Sequence, residues 1–106
     1  MNAVEREILE RLKALLARGT RLHRLFLFGS RARGDAAPDS DMDVLVVLAE
    51  PVTPEKRRYI SECAWEAGFE RGIVVVPVAY SRDEWESGPE SQSLLAQAVA
   101  AEGILI

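Results

Sequence analysis

The sequence predicts a small mixed β-sheet with helices packed on it, a fold of the α/β (α+β) class. Two apolar runs, residues 25–28 and 44–48, have the composition of buried strands. The segments around them repeat apolar residues at helical spacing and carry helix-capping residues at their ends. With 106 residues, of which 48% are hydrophobic, the chain suits one compact domain that spans residues 1–106.

The first predicted elements are a helix and a strand. Apolar residues at helical spacing form one stripe over residues 4–16. Asn2 and Glu5 have the spacing of a capping box at its start, and Gly19 can end the helix. The apolar run 25–28 then reads as a buried strand that stops at a glycine turn.

A second strand and a second helix follow. The turn-forming residues 36–40 lead into a predicted strand over residues 41–48. Thr53 then has the position of a helix N-cap, and Pro54 suits the first helical position. The apolar face of this helix, which includes the only cysteine, extends to Gly68. That cysteine is therefore expected in the core.

The last third of the chain is predicted to add a strand, two helical segments and an apolar tail. Residues 73–80 form the strand, and Pro77 within it indicates a sheet edge or a bulge. Ser81 can cap a short acidic helical turn that follows. A final helix ends at Gly103, and the uncharged tail 104–106 is expected to pack against the domain or a partner.

The glycine turn after the first strand has the composition of a phosphate-binding loop. Gly29 and Gly34 have no Cβ, so the backbone between them can approach a ligand and point N–H groups at one anion. The Ser30 hydroxyl can add a donor, and Arg33 supplies positive charge and a planar fork for phosphate oxygens. The segment predicts an anion cradle at the end of a strand.

Two carboxylates lie at the start of the next predicted strand. Asp41 and Asp43 are two residues apart, so they point to the same face. Two like charges at the end of a buried strand repel each other and lose hydration. A divalent cation relieves both costs, which predicts a metal-binding pair. A glycine turn with two solvated carboxylates is the simpler alternative.

Together these motifs resemble the polymerase-β-like nucleotidyltransferases. Gly29-Ser30, Gly34 and Ser40-Asp41-x-Asp43 match the pattern of that superfamily, and the short chain resembles its minimal nucleotidyltransferase (MNT) branch. The resemblance implies a nucleotidyltransferase that uses Mg²⁺ and binds ATP or another nucleoside triphosphate. It implies that Asp41 and Asp43 are the catalytic metal ligands, and that the nucleotide-binding residues are Gly29, Ser30, Arg33, Gly34 and Ser40.

The MNT branch also implies a partner and a reaction. Such chains resemble the antitoxins of HEPN/MNT toxin–antitoxin pairs. The antitoxin transfers AMP from ATP to a hydroxyl of its small helical HEPN partner, or masks the partner by binding it. We therefore expect transfer of a nucleoside monophosphate to a protein hydroxyl.

One departure from the family pattern favours an alternative without catalysis. Active relatives place a third carboxylate on a later strand, near Val75 or Val76 of this chain, and the run 73–80 contains no acid. The nearest carboxylates are Glu70 and Asp83, on either side of that strand. The alternative is a catalytically impaired module that binds a nucleotide or a partner and neutralises the partner by masking it.

Composition limits the other functional classes. The net charge of −4 and a pI near 5.0 argue against broad binding to nucleic acids. No signal peptide and no membrane-spanning apolar run are recognisable in the sequence, so a cytoplasmic protein is expected. The only histidine, His23, precedes the predicted first strand and is expected at the surface, so the sequence offers no general base.

Overall fold

The computed structural model describes all residues, 1–106. Five α-helices, a short 3-10 helix and four strands follow one another along the chain. In order they are α1 (Ala3–Gly19), β1 (Leu22–Phe28), α2 (Ser30–Arg33), β2 (Met42–Leu48), α3 (Pro54–Phe69), β3 (Val75–Ser81), α4 (Arg82–Ser87), the 3-10 helix Pro89–Gln92, α5 (Leu94–Glu102) and β4 (Ile104–Leu105). No helix is both long enough and apolar enough to cross a membrane.

The strands form one mixed sheet in the order β3-β2-β1-β4. β1 runs antiparallel to β2 and to β4, whereas β2 and β3 are parallel. The predicted mixed sheet with packed helices is therefore confirmed.

Pro77 lies on the edge strand β3, as its lack of an N–H requires. The N–H of Met42 donates to the carbonyl of Val74. In a parallel pair, only every second residue of a strand bonds to its neighbour, so the backbone of Pro77, three residues after Val74, faces the open edge.

Local sequence explains where the two long helices begin. At the start of α1, Asn2 and Glu5 each accept the other's backbone N–H at 2.8 Å, which completes the predicted capping box. The Thr53 hydroxyl accepts the N–H of Lys56 at 3.1 Å and caps α3, with Pro54 at the first helical position. Both helices then bury their apolar faces against the sheet.

The two faces of the sheet are covered unequally. One face packs on α1 and α3 and holds the main core of 17 buried residues, among them Cys63 as expected. The other face holds Leu45 and Val47 of β2 against Val99 of α5, with Trp85 of α4 packed at their side. Because side chains alternate along a strand, Asp43 lies on this second, thinner face.

Four features differ from the sequence prediction. β3 spans Val75–Ser81, whereas the predicted strand covered residues 73–80. β2 begins at Met42, so Asp41 precedes the strand. β1 begins at Leu22 and includes His23, whose side chain is only 18% exposed with its Nε2 3.7 Å from Glu86 Oε1. The apolar tail forms the strand β4, because Ile104 and Leu105 pair with β1.

Candidate active site

Gly29 joins the end of β1 to the first residue of α2 in a conformation that favours glycine. Its φ is +75°, in the region that residues with a Cβ rarely adopt. A Cβ at this position would lie 2.6 Å from Asp43 Oδ2. The backbone angle is what favours glycine here, and a Cβ would in addition displace the Asp43 carboxylate from its position beside the turn. This position brings the predicted cradle and the predicted metal ligand together.

The turn after Gly29 forms the one-turn helix α2. Ser30 is its first residue, and no side chain caps its N-terminus. Gly34 ends the helix in the left-handed conformation with a φ of +83°, and nothing would lie within 4 Å of its Cβ. The Gly34 N–H donates to the Ser30 carbonyl at 2.9 Å. Gly34 thus shapes the end of α2, and its N–H is engaged within the turn.

Asp43 is the second residue of the inner strand β2, and its partners on the two neighbouring strands are Phe28 of β1 and Val76 of β3. Asp41 is exposed, and Asp43 is half-buried. Burial raises the pKa of the Asp43 carboxyl, and the charge of Asp41 raises it further, whereas the charge of Arg33 lowers it. A cation at this edge would offset both unfavourable effects on Asp43, and in this sense the pair fits a divalent metal ion.

A third acid is missing from this edge. The register pairs Asp43 with Val76, so the side chain beside it on the neighbouring strand is a valine. Nowhere in the chain do three or more histidine, cysteine, aspartate or glutamate side chains group closely enough to hold a metal ion. Any metal here needs further oxygen ligands, for which nucleotide phosphates and water are suited.

Arg33, predicted as a phosphate ligand, already has two acidic partners. Its Nη1 lies 3.1 Å and 3.2 Å from the two carboxylate oxygens of Glu102, and its Nε donates to Asp35 Oδ2 at 3.2 Å. These hydrogen bonds raise the pKa of Arg33. Glu102 also accepts the Gly29 N–H at 3.3 Å. Sequence reasoning missed Glu102, because 73 residues separate it from Gly29.

Arg31 is a second residue that sequence reasoning missed. It is buried, and its Nη1 donates to Glu5 Oε2 at 3.0 Å. Its other guanidinium nitrogens donate to the carbonyls of Pro38 at 2.9 Å and Ser40 at 2.7 Å and 3.0 Å. Arg31 therefore fixes the loop that leads to Asp41, and the predicted nucleotide ligand Ser40 uses its carbonyl in this contact. Glu5, on the buried stripe of α1, was the available sequence signal, because a buried acid needs a partner.

The chain matches the nucleotidyltransferase domain family over residues 5–95. It belongs to that family. The family predicted from the glycine turn and the two aspartates is confirmed, and the chain has the mixed sheet expected of that family.

One named relative is similar to part of this chain. A Methanocaldococcus jannaschii protein, named as a candidate protein adenylyltransferase, is 36% identical over 62 residues. The aligned stretch covers 58% of this chain and 63% of that relative, less than two thirds of its length.

Solved structures show the same fold. A chain of a toxin–antitoxin complex with AMP-PNP has a TM-score of 0.65 at 24% identity, covering 95% of this chain and 70% of that one. A complex of the tri-AMPylated Shewanella oneidensis HEPN toxin with its MNT antitoxin has a TM-score of 0.58 at 21% identity, covering 96% and 70%. At these identities the likeness concerns the fold.

Proposed function

We propose that this nucleotidyltransferase transfers AMP from ATP to a hydroxyl of a HEPN-type partner protein, as the antitoxin of that partner. The single observation that carries the proposal is that the Asp43 carboxylate lies beside Gly29, because this brings the turn predicted to bind anions next to a predicted metal ligand. The name of the Methanocaldococcus jannaschii relative, a candidate protein adenylyltransferase, and the AMPylated toxin in the structure of the other relative support AMP as the group and a protein as the acceptor.

Each part of the site has a role in this reaction. Ser30 and the first turn of α2 bind nucleotide phosphates, aided by Arg33. Asp41 and Asp43 hold Mg²⁺, which neutralises charge on the phosphate oxygens when bound. Gly34 and Ser40 maintain the loop between these groups. We also propose that residues 1–106 act as one minimal domain in the cytoplasm.

A second candidate function follows from the missing third acid. Because Val76 occupies the position beside Asp43, the metal that would activate an attacking hydroxyl has one ligand fewer. A protein of this kind can bind its partner and neutralise it without transferring AMP. The two functions differ in one measurable product, the AMPylated partner.

Transfer of labelled AMP from ATP to a co-expressed HEPN partner tests the proposal. We expect the wild type to label the partner in the presence of Mg²⁺. Asp41→Ala and Asp43→Ala should each reduce the rate about 100-fold or more, because the developing phosphate charge is no longer neutralised. Asp39→Ala removes an exposed carboxylate from the preceding turn and should retain the rate. Partner inhibition by a wild type that transfers no label would establish masking instead.

A further inference from the structure

The carboxylate of Glu102 is bound in the turn to which we assign the nucleotide phosphates. Its Oε1 accepts the Gly29 N–H at 3.3 Å and lies 3.1 Å from Arg33 Nη1. Its second oxygen lies 3.2 Å from the same nitrogen. A backbone N–H and a guanidinium that converge on one oxygen anion form the arrangement that also binds a phosphate oxygen.

The position of Glu102 is set by the strand that follows it. Glu102 is the last residue of α5, and Gly103 separates it from β4. β4 pairs with β1 through Leu27↔Ile104 and Phe26↔Leu105. Since Gly29 directly follows the end of β1, this pairing holds the carboxylate against the start of the turn.

We propose that Glu102 is an internal competitor, which occupies the Gly29 N–H and the Arg33 guanidinium until a nucleotide phosphate displaces it. This inference rests on the proposed function, because it takes the same donors as phosphate ligands. It adds that C-terminal residues regulate access to the site. Binding of a nucleoside triphosphate would then require the Glu102 side chain to leave both donors.

The strength of the Glu102 contact suits such an exchange. The side chains of Arg33 and Glu102 are 47% and 21% exposed. Ion pairs with this access to water contribute little free energy, because water competes for both partners. A triphosphate with its metal carries several oxygen anions in a compact group and can replace one carboxylate. The competitor therefore lowers nucleotide affinity without closing the site.

Calorimetric titration with Mg²⁺ and AMP-PNP tests the competition. Glu102→Gln removes the charge and keeps the side-chain shape. We expect it to tighten the dissociation constant about fivefold, the factor equivalent to about 1 kcal/mol. Glu102→Asp keeps the charge but is one methylene too short to bridge both donors. It should also tighten binding, by about twofold.

A matched control separates occupancy of the donors from overall charge. Glu66 lies on α3, which covers the other face of the sheet, and Glu66→Gln breaks its exposed ion pair with Arg11 of α1. It makes the same charge change as Glu102→Gln and should leave the dissociation constant unchanged. Tightening in Glu66→Gln equal to that in Glu102→Gln would overturn the inference, since charge alone would then suffice.

Two further results overturn the inference in distinguishable ways. If the wild type binds AMP-PNP and Glu102→Gln binds equally or more weakly, Glu102 positions Arg33 and does not compete; the proposed function then stands. If neither the wild type nor any variant binds AMP-PNP with Mg²⁺, the proposed nucleotide site is wrong, and so is the proposed competition by Glu102.

Discussion

The two arginines of the glycine turn have opposite environments, although the sequence presents them alike. Arg31 is buried against Glu5 and two backbone carbonyls, whereas Arg33 is exposed and paired with Asp35 and Glu102. Both stand in the same short motif, and their separation by two residues does not show which one turns inward. Burial of Arg31 depends on Glu5, 26 residues earlier, so it becomes visible only in the folded chain.

This difference predicts unequal costs of removing the two side chains. Arg31→Ala leaves Glu5 charged and buried with two loop carbonyls unpaired, and should lower the free energy of unfolding by about 3–5 kcal/mol. Arg33→Ala breaks exposed ion pairs, for which water competes, and should leave the free energy of unfolding close to that of the wild type. Urea unfolding of the two variants measures both values. Equal losses would show that Arg31 is not a structural arginine.

At the scale of elements, prediction succeeded where the deciding residues are adjacent in sequence. Capping residues at Asn2 and Thr53 placed the starts of α1 and α3, since a cap acts within one helical turn. β4 was predicted only as a packed tail. It is two residues long, and its identity as a strand comes from pairing with β1, which local pattern cannot show.

β3 allows a direct test of the missing acid. Val76→Asp adds a carboxylate beside Asp43, since residues paired across two strands point to the same face. We expect the Mg²⁺ affinity of the nucleotide-free protein to rise about tenfold, because affinity increases with the number of charged oxygen ligands. Without Mg²⁺ the variant should be less stable than the wild type, through repulsion among the acids. Calorimetry with Mg²⁺ and thermal unfolding measure both effects.

The control for this variant must lie on an exposed residue. Val75 is only 6% exposed, and an aspartate there would unfold the core. Ser61 is exposed on α3, which covers the other face of the sheet, so it accepts the same charge far from Asp41 and Asp43. Ser61→Asp should leave Mg²⁺ affinity unchanged. A gain in both variants, or in neither, would place Val76 away from any metal.

At the scale of the whole molecule, the candidate site consists of a local part and a distant part. The turn and the two carboxylates lie within residues 29–43, and the sequence predicted that they belong together. The structure adds that the Asp43 carboxylate lies beside Gly29, whose positive φ favours a glycine. Glu102 is distant from the turn in sequence and reaches it because β4 pairs with β1. In the function we propose, the local part supplies the ligands of the nucleotide, and Glu102 of the distant part competes for two of them.

A nucleotide bound across these parts should stabilise the entire fold. A ligand that binds only the native state at 100 times its dissociation constant adds about 2.7 kcal/mol. For a chain of this size that corresponds to a rise of about 10 °C in melting temperature. We expect this rise with AMP-PNP and Mg²⁺ together, and almost none with adenosine, which has no phosphate.

Two serine variants decide whether this stabilisation arises at the glycine turn. Ser30→Trp fills the start of α2 and should abolish the rise, because phosphates can no longer approach the turn. Ser61→Trp places the same bulk on the exposed side of α3 and should keep it. If Ser30→Trp retains the full rise, the nucleotide binds elsewhere, since an indole at the first residue of α2 and a phosphate in the turn require the same space.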